Sequence, residues 1–428
     1  MSFIAHSVAG SDRVGYGRLK ISLSSQSRIA LTVLVAALGY FVDLFDLILF
    51  VLVRVKSLKD LNVAPADMLS TGAFLLNVQM AGLFVGGIVW GLLGDRRGRL
   101  SVLLGSIVLY SIANLANAFV TSVNAYAVLR FVAGVGLAGE LGAGVTIVSE
   151  LLPQRIRGYG STIISGVGTL GAVVAALVAD LVTWRHAYFL GGLIGLALLA
   201  LRLGVRESGL YAKMENTRVV RGRLWRFVRQ PRLVARVATL TLVGVPIWFV
   251  IGVLAAFTPE FGRALGMEAA MPRVTQAIVF LYLGLCIGGL IWGLVSQVLK
   301  SRRLAVLTSL GSLVVVLAAY SKVAGLSVTA YYATCFALGC SAGYWAMFVQ
   351  IAAEQFGTNY RATVTTSVPN LVRGSTIPMT LGFQALIPHF GVIGAGLTLG
   401  FSVIVIAIAA TIALPETFAR ELDYEEIV

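Results

Sequence analysis

Trp90-Gly91-Leu92-Leu93-Gly94-Asp95-Arg96-Arg97-Gly98-Arg99-Leu100 is a tight basic turn between two long apolar runs. A weaker copy runs from Trp292-Gly293-Leu294 to Lys300-Ser301-Arg302-Arg303-Leu304, and Trp90 and Trp292 are offset by 202 positions. Glu150 and Arg157 recur as Glu354 and Arg361, each offset by 204. A chain that repeats itself once, with basic turns between apolar helices, reads as a duplicated helical membrane transporter.

The 428 residues are 58% hydrophobic and 12% charged. A soluble domain carries about 25% charged residues, so a soluble helical protein is a poor match. Apolar runs of about 20 residues are membrane-span candidates. Twelve are placed, near 29–53, 70–94, 99–120, 124–151, 159–183 and 185–205, then 236–260, 273–299, 302–322, 328–354, 361–386 and 390–415. They are read as helices because unpaired backbone groups cannot face lipid. The fold class is an all-α membrane protein of two pseudo-symmetric six-helix bundles, 29–205 and 236–415.

Charge orients it. With the N-terminal segment 1–28 inside, the inner loops hold most of the 33 Lys and Arg. This is the positive-inside pattern, so both termini, including the tail 416–428, are expected in the cytoplasm. It also accounts for the +14 net charge without nucleic acid. The linker 206–235 holds Arg218, Arg221, Arg223, Arg226, Arg229 and Arg232, with Trp225 and Phe227 between. That spacing suggests a basic amphipathic helix on an anionic inner leaflet. The polar N-terminal segment does not read as a secretory signal.

Other chemistries are poorly supported. Cys286, Cys335 and Cys340 all fall in spans and give no disulfide framework. His6, His186 and His389 are scattered, so no metal site is expected, and no cofactor either. There is no phosphate-binding Gly-rich loop with its Lys, so a gradient rather than ATP should supply energy. An embedded enzyme would need a nucleophile and base that these residues do not offer.

The chain resembles the major facilitator superfamily over nearly its whole length. The resemblance rests on Gly94-Asp95-Arg96-Arg97-Gly98-Arg99 between spans two and three, and on Arg130 with Gly134 and Gly136 in span four. It rests also on Glu150-Leu151-Leu152-Pro153 with Arg157-Gly158, and on the tail Pro415-Glu416-Thr417-Phe418 with Glu421-Leu422-Asp423-Tyr424. The tail is similar to that of sugar porters and metabolite:proton symporters. The resemblance implies a monomeric secondary transporter of a bacterial inner membrane, with spans one, four, seven and ten lining a central cavity. Span five reads Gly166-Val167-Gly168-Thr169-Leu170-Gly171 without the Gly–Pro of drug antiporters. Uptake by proton symport is therefore expected over efflux. The sugar-porter pattern is incomplete, which favours a small organic acid or zwitterion over a sugar. A transport-like sensor or a scramblase would keep the same fold without proton coupling.

Physically, the basic turns read as a gate. Gly94, Asp95, Arg96, Arg99, Glu150 and Arg157 should gather at one inner helix end, where a guanidinium can grip a carboxylate in two places. Gln297 stands where the second half would need the acid, leaving Glu354 and Arg361. Ionisable residues inside spans are functional candidates by default. Asp43 and Asp46 share a face of span one, and Arg130 lies at similar depth in span four, so an acid facing Arg130 is the expected proton switch, Asp46 before Asp43. The alternative is a static ion pair. Glu140 is either a second proton site or a partner for Asn77 or Gln79 in span two. In the second half Arg373, with Asn370 nearby, is a candidate counter-ion for a substrate carboxylate. Alternatively it bonds carbonyls freed by Pro369 and Pro378. Trp248 and Phe249, with Tyr344, Trp345 and Gln350, are candidate cavity walls.

Overall fold

The computed structural model describes residues 25–97, 99–140, 154–207, 229–323 and 327–418. Among these every regular element is helical. The first half comprises α1 (Ser25–Asp60), α2 (Met68–Arg97), α3 (Arg99–Asn117), α4 (Val123–Leu137), α5 (Gln154–Leu181) and α6 (Trp184–Glu207). The second comprises α7 (Pro231–Phe249), a short α8 (Thr258–Ala264), α9 (Val274–Val298) and α10 (Arg302–Tyr320). It continues with α11 (Val328–Ala342), α12 (Trp345–Glu354), α13 (Thr358–Gly374) and α14 (Thr376–Ala413). Eight described helical stretches are long and apolar enough to cross a membrane, and three shorter apolar helices accompany them. The protein is a multi-pass membrane protein.

The repeat extends to single hydrogen bonds. The Trp90 indole donates to the Val135 carbonyl at 2.6 Å, and the Trp292 indole to the Cys340 carbonyl at 2.8 Å. Ser122 caps α4 through the Ala125 N–H, and Ser327 caps α11 through the Ala330 N–H. Gly82 packs on the Phe131 carbonyl as Gly284 packs on that of Phe336, which draws α2 onto α4 and α9 onto α11. Small residues permit such close backbone approach, which stabilises helix pairs in lipid by dispersion. Both fourth helices break at the same repeat position, after Leu137 and after Ala342.

Several boundaries differ from the sequence expectation. The first span, expected to end at residue 53, continues helically to Asp60. Arg54 therefore lies on the helix and is buried, because carboxylate and carbonyl acceptors satisfy its charge. The eleventh span breaks at neither Pro369 nor Pro378 but between α13 and α14 at Ser375. Pro369 sits inside α13, while Pro378 falls in the first turn of α14, where a missing N–H costs no helical bond. α14 runs on through Gly391, whose φ of 67° bends it between the last two spans. The seventh span starts at Pro231 and passes into a π-helical stretch, Val250–Ala255, just after Pro246. Most of the 206–235 linker, with its expected surface helix, lies outside the described residues.

Candidate functional site

The basic turns mark one end of the bundle, here the basic end. The loops near residues 61–67 and 265–273 mark the far end. Between them lies a cavity of about 680 Å³. Its lining includes Tyr40 of α1, Thr169 of α5, Trp248 of α7, Tyr282 and Cys286 of α9, Trp345 and Gln350 of α12, and Arg373 of α13. Toward the basic end the lining continues to Gln297 and Arg302.

Arg373 is fully buried and donates through Nη2 to Asp43 Oδ2 at 2.8 Å, joining the two halves at the cavity wall. Its guanidinium lies 5.8 Å from the Trp248 ring. Its Nε and Nη1 and the Oδ1 of Asp43 have no hydrogen-bond partner. This corrects two expectations. Arg373 is neither unpaired nor spent on the carbonyls near Pro369, and Asp43 faces Arg373 rather than Arg130. Residues three apart on a helix differ in direction by about 60°, and α1 lies between the halves, so its two acids point to different partners. Asp46 remains on the Arg130 side and interacts with it electrostatically. It packs against Gly191 of α6, with the Asn114 side chain beside its buried carboxyl. Arg130 donates to Asn114 Oδ1 at 2.7 Å and lies 4.5 Å above the Tyr188 ring.

Glu140 does not pair with Asn77 or Gln79. It forms a buried ion pair with Arg202 of α6, and both lie directly on Gly39 of α1. Asn77 instead accepts from Thr380 Oγ1 at 2.6 Å, and Gln79 reaches the Leu47 carbonyl at 3.4 Å. Asn370 crosses between the halves to the Ala138 carbonyl at 3.0 Å. Tyr344 is not in the cavity wall. It is buried, and its hydroxyl donates to the Val243 carbonyl at 2.7 Å. Trp345 and Gln350 do line the cavity, as does Trp248, whereas Phe249 is buried against Gly400.

At the basic end Glu354 lies 3.6 Å from Arg302 and accepts from Gln350 Nε2 at 2.8 Å. The side chains of Asp95, Arg96, Arg99, Arg157 and Arg361, the surroundings of Gly94, and the whole of Glu150 lie outside the described residues. At the far end Arg54 Nη2 contacts both oxygens of Glu260 at 2.8 Å and reaches the Ala256 carbonyl at 3.2 Å, with its guanidinium 4.7 Å from the Phe257 ring. Thr275 donates to Asp180 Oδ2 at 2.8 Å nearby. Arg54, Glu260, Arg202, Arg302 and Tyr282 escaped the sequence reading. The first four sit at or near span ends, where a charge reads as loop, and a tyrosine in an apolar run carries no signal of its own.

The family model of the Major Facilitator Superfamily matches residues 29–377. A niacin transporter of Acinetobacter baylyi is 31% identical over 178 residues, 41% of this chain and 40% of that one. A 4-hydroxybenzoate transporter of Pseudomonas aeruginosa is 31% identical over 166 residues, 36% of this chain and 37% of that one. The matched stretch thus spans less than half of either relative. The crystal structure of a D-xylose-proton symporter superposes with a TM-score of 0.68 at 16% identity, covering 91% of this chain and 98% of that one, which is a likeness of fold. With a profile match over most of its length and the twelve-span fold to go with it, the chain belongs to the Major Facilitator Superfamily, a family of membrane transporters and not of enzymes.

Proposed function

We propose that this protein carries a ring-bearing carboxylate across the membrane by alternating access, with protons as the coupling ion. The carrying observation is Arg373, buried at the wall of a cavity that Tyr40, Trp248, Tyr282 and Trp345 also line. A guanidinium with unused donors suits a carboxylate, and flat aromatic walls suit a ring. Niacin and 4-hydroxybenzoate, the compounds in the two relatives' names, are each a six-membered aromatic ring bearing a carboxyl group. The positive-inside pattern makes the basic end cytoplasmic. The Arg54–Glu260 contact then closes the outside, and the cavity leads inward.

Coupling follows from competition for one guanidinium. Asp43 and a substrate carboxylate both seek Arg373. A proton on Asp43 removes its charge and releases Arg373 to the substrate, so anion and proton bind together. Asp46, beside Arg130 and three residues away, is the second acid of the relay. The test is counterflow of labelled nicotinate or benzoate in proteoliposomes, repeated with Arg373→Gln. We expect uptake by the unmodified protein and a loss of affinity of at least about tenfold, or 1.4 kcal/mol, in the Gln variant. Arg373→Lys should recover part of it, since an ammonium lacks the planar fork. Equal affinity in a folded Gln variant would contradict the carboxylate site and leave a neutral substrate such as a sugar.

A further inference from the structure

We propose that the Tyr282 hydroxyl is a second donor to the carboxylate held by Arg373, and that the two together select carboxylates over their neutral amides. The inference rests on the reading of the cavity as a carboxylate site. Tyr282 lines that cavity from α9, yet is only 2% exposed. Its hydroxyl is buried and has no hydrogen-bond partner. It lies within electrostatic reach of Tyr40, Arg373 and Asp43. Buried hydroxyls are normally satisfied, so one left open on a cavity wall points to a ligand. Tyr40 differs, because its side chain is engaged by Trp345.

The internal repeat shows that packing does not require a phenol there. In α2 and α9 the pairs Gly82 and Gly284, Gly86 and Gly288, and Trp90 and Trp292 all keep the same offset of 202 and the same neighbours. At that offset Tyr282 corresponds to Met80, which is 1% exposed. The first half thus fills the position with an apolar side chain, and the second adds one hydroxyl. At an offset of 204 the position of Arg373 corresponds to Thr169, so there the second half has a guanidinium where the first has a short hydroxyl. Both added polar groups belong to the same wall, and both are incompletely bonded. A carboxylate can accept from several donors at once, whereas an amide presents only one acceptor oxygen.

The experiment measures affinities of purified protein for nicotinate and benzoate against nicotinamide and benzamide. Tyr282→Phe removes one oxygen, and Tyr282→Met installs the side chain of the repeat. Both variants should unfold at the same temperature as the parent. Carboxylate affinities should fall about tenfold and amide affinities stay within about twofold, because a site built to donate loses most with the partner that accepts. A double-mutant cycle with Arg373→Gln should be non-additive, since both donors serve one group. Equal losses for acids and amides, an additive cycle, or no loss would each overturn the proposal. Should the parent protein bind neither acid, the carboxylate-site reading falls and this inference with it. A parent that binds both acids and a Phe variant that matches it sink the inference alone.

Discussion

Asp46 is a buried carboxyl with Arg130 as its electrostatic neighbour and the Asn114 side chain beside it. A carboxyl so placed can take up and release a proton. Asn keeps its volume but cannot take up or release that proton. We expect Asp46→Asn to abolish proton-driven accumulation while substrate still exchanges across the membrane. Undiminished accumulation would leave Asp43 as the only coupling acid on α1. The sequence identified both acids with Arg130 and Arg373 and set Asp46 toward Arg130, but missed that Asp43 turns to Arg373. Depth can be counted along a span, whereas facing depends on how each helix is rotated, which Gly191 beside Asp46 and the break after Arg373 help to set.

Between elements, the Glu140–Arg202 pair ties the broken end of α4 to α6 across Gly39 of α1. Removing one member of a buried pair leaves the other charge poorly compensated, at a cost of up to about 3–5 kcal/mol. Glu140→Gln should therefore lower the unfolding temperature of the purified protein markedly. The joint change to Glu140→Leu and Arg202→Met should recover most of it, and two variants of equal stability would refute the argument. The tail supplies a second case. Glu416 accepts from the Ser301 hydroxyl and from the N–H groups of Arg302 at 2.9 Å and Arg303 at 3.2 Å, fastening the chain's end to the start of α10. Partial burial would raise its pKa, but the bonds from Ser301 and from the N–H groups of Phe418, Arg302 and Thr417 outweigh it and hold the carboxyl down at about 2. Its folded pKa is thus below the unfolded value of 4.5, so this stabilisation is complete above about pH 4.5 and lost as pH falls toward 2. A spin label at Phe418→Cys, two residues after Glu416, should be immobilised at pH 7 and gain mobility on acidification. With Glu416→Gln it should already be mobile at pH 7, and a label insensitive to both would exclude the fastening. The sequence showed the tail motif and the twelve apolar runs. It could not show which loop the tail meets, nor the mid-helix breaks at Gly139 and Gly343, since glycine also serves close helix packing.

Across the whole molecule, the far end is held by Arg54 and Glu260, one from each half. The described inter-half bonds continue inward through Thr380–Asn77, Arg373–Asp43 and Asn370–Ala138. Opening the far end must break the outermost charge pair. Glu260→Gln should therefore shift the population toward the opposite-facing state. Cys286, in the cavity wall, reports this once Cys335 and Cys340 are replaced by Ala. In inside-out vesicles its reaction with a maleimide should slow about threefold in the Gln variant. An unchanged rate would mean that the pair does not set the balance. The paired indole bonds have a separate consequence. Trp90 is secured within the first half and Trp292 within the second, each by a carbonyl of its own fourth helix. Neither anchor uses the peptide that connects the halves. The covalent link then serves to keep the two halves at high local concentration. A chain severed within 208–228 and supplied as two polypeptides retains each half's internal anchors, and the pair can reassemble in the bilayer as a heterodimer.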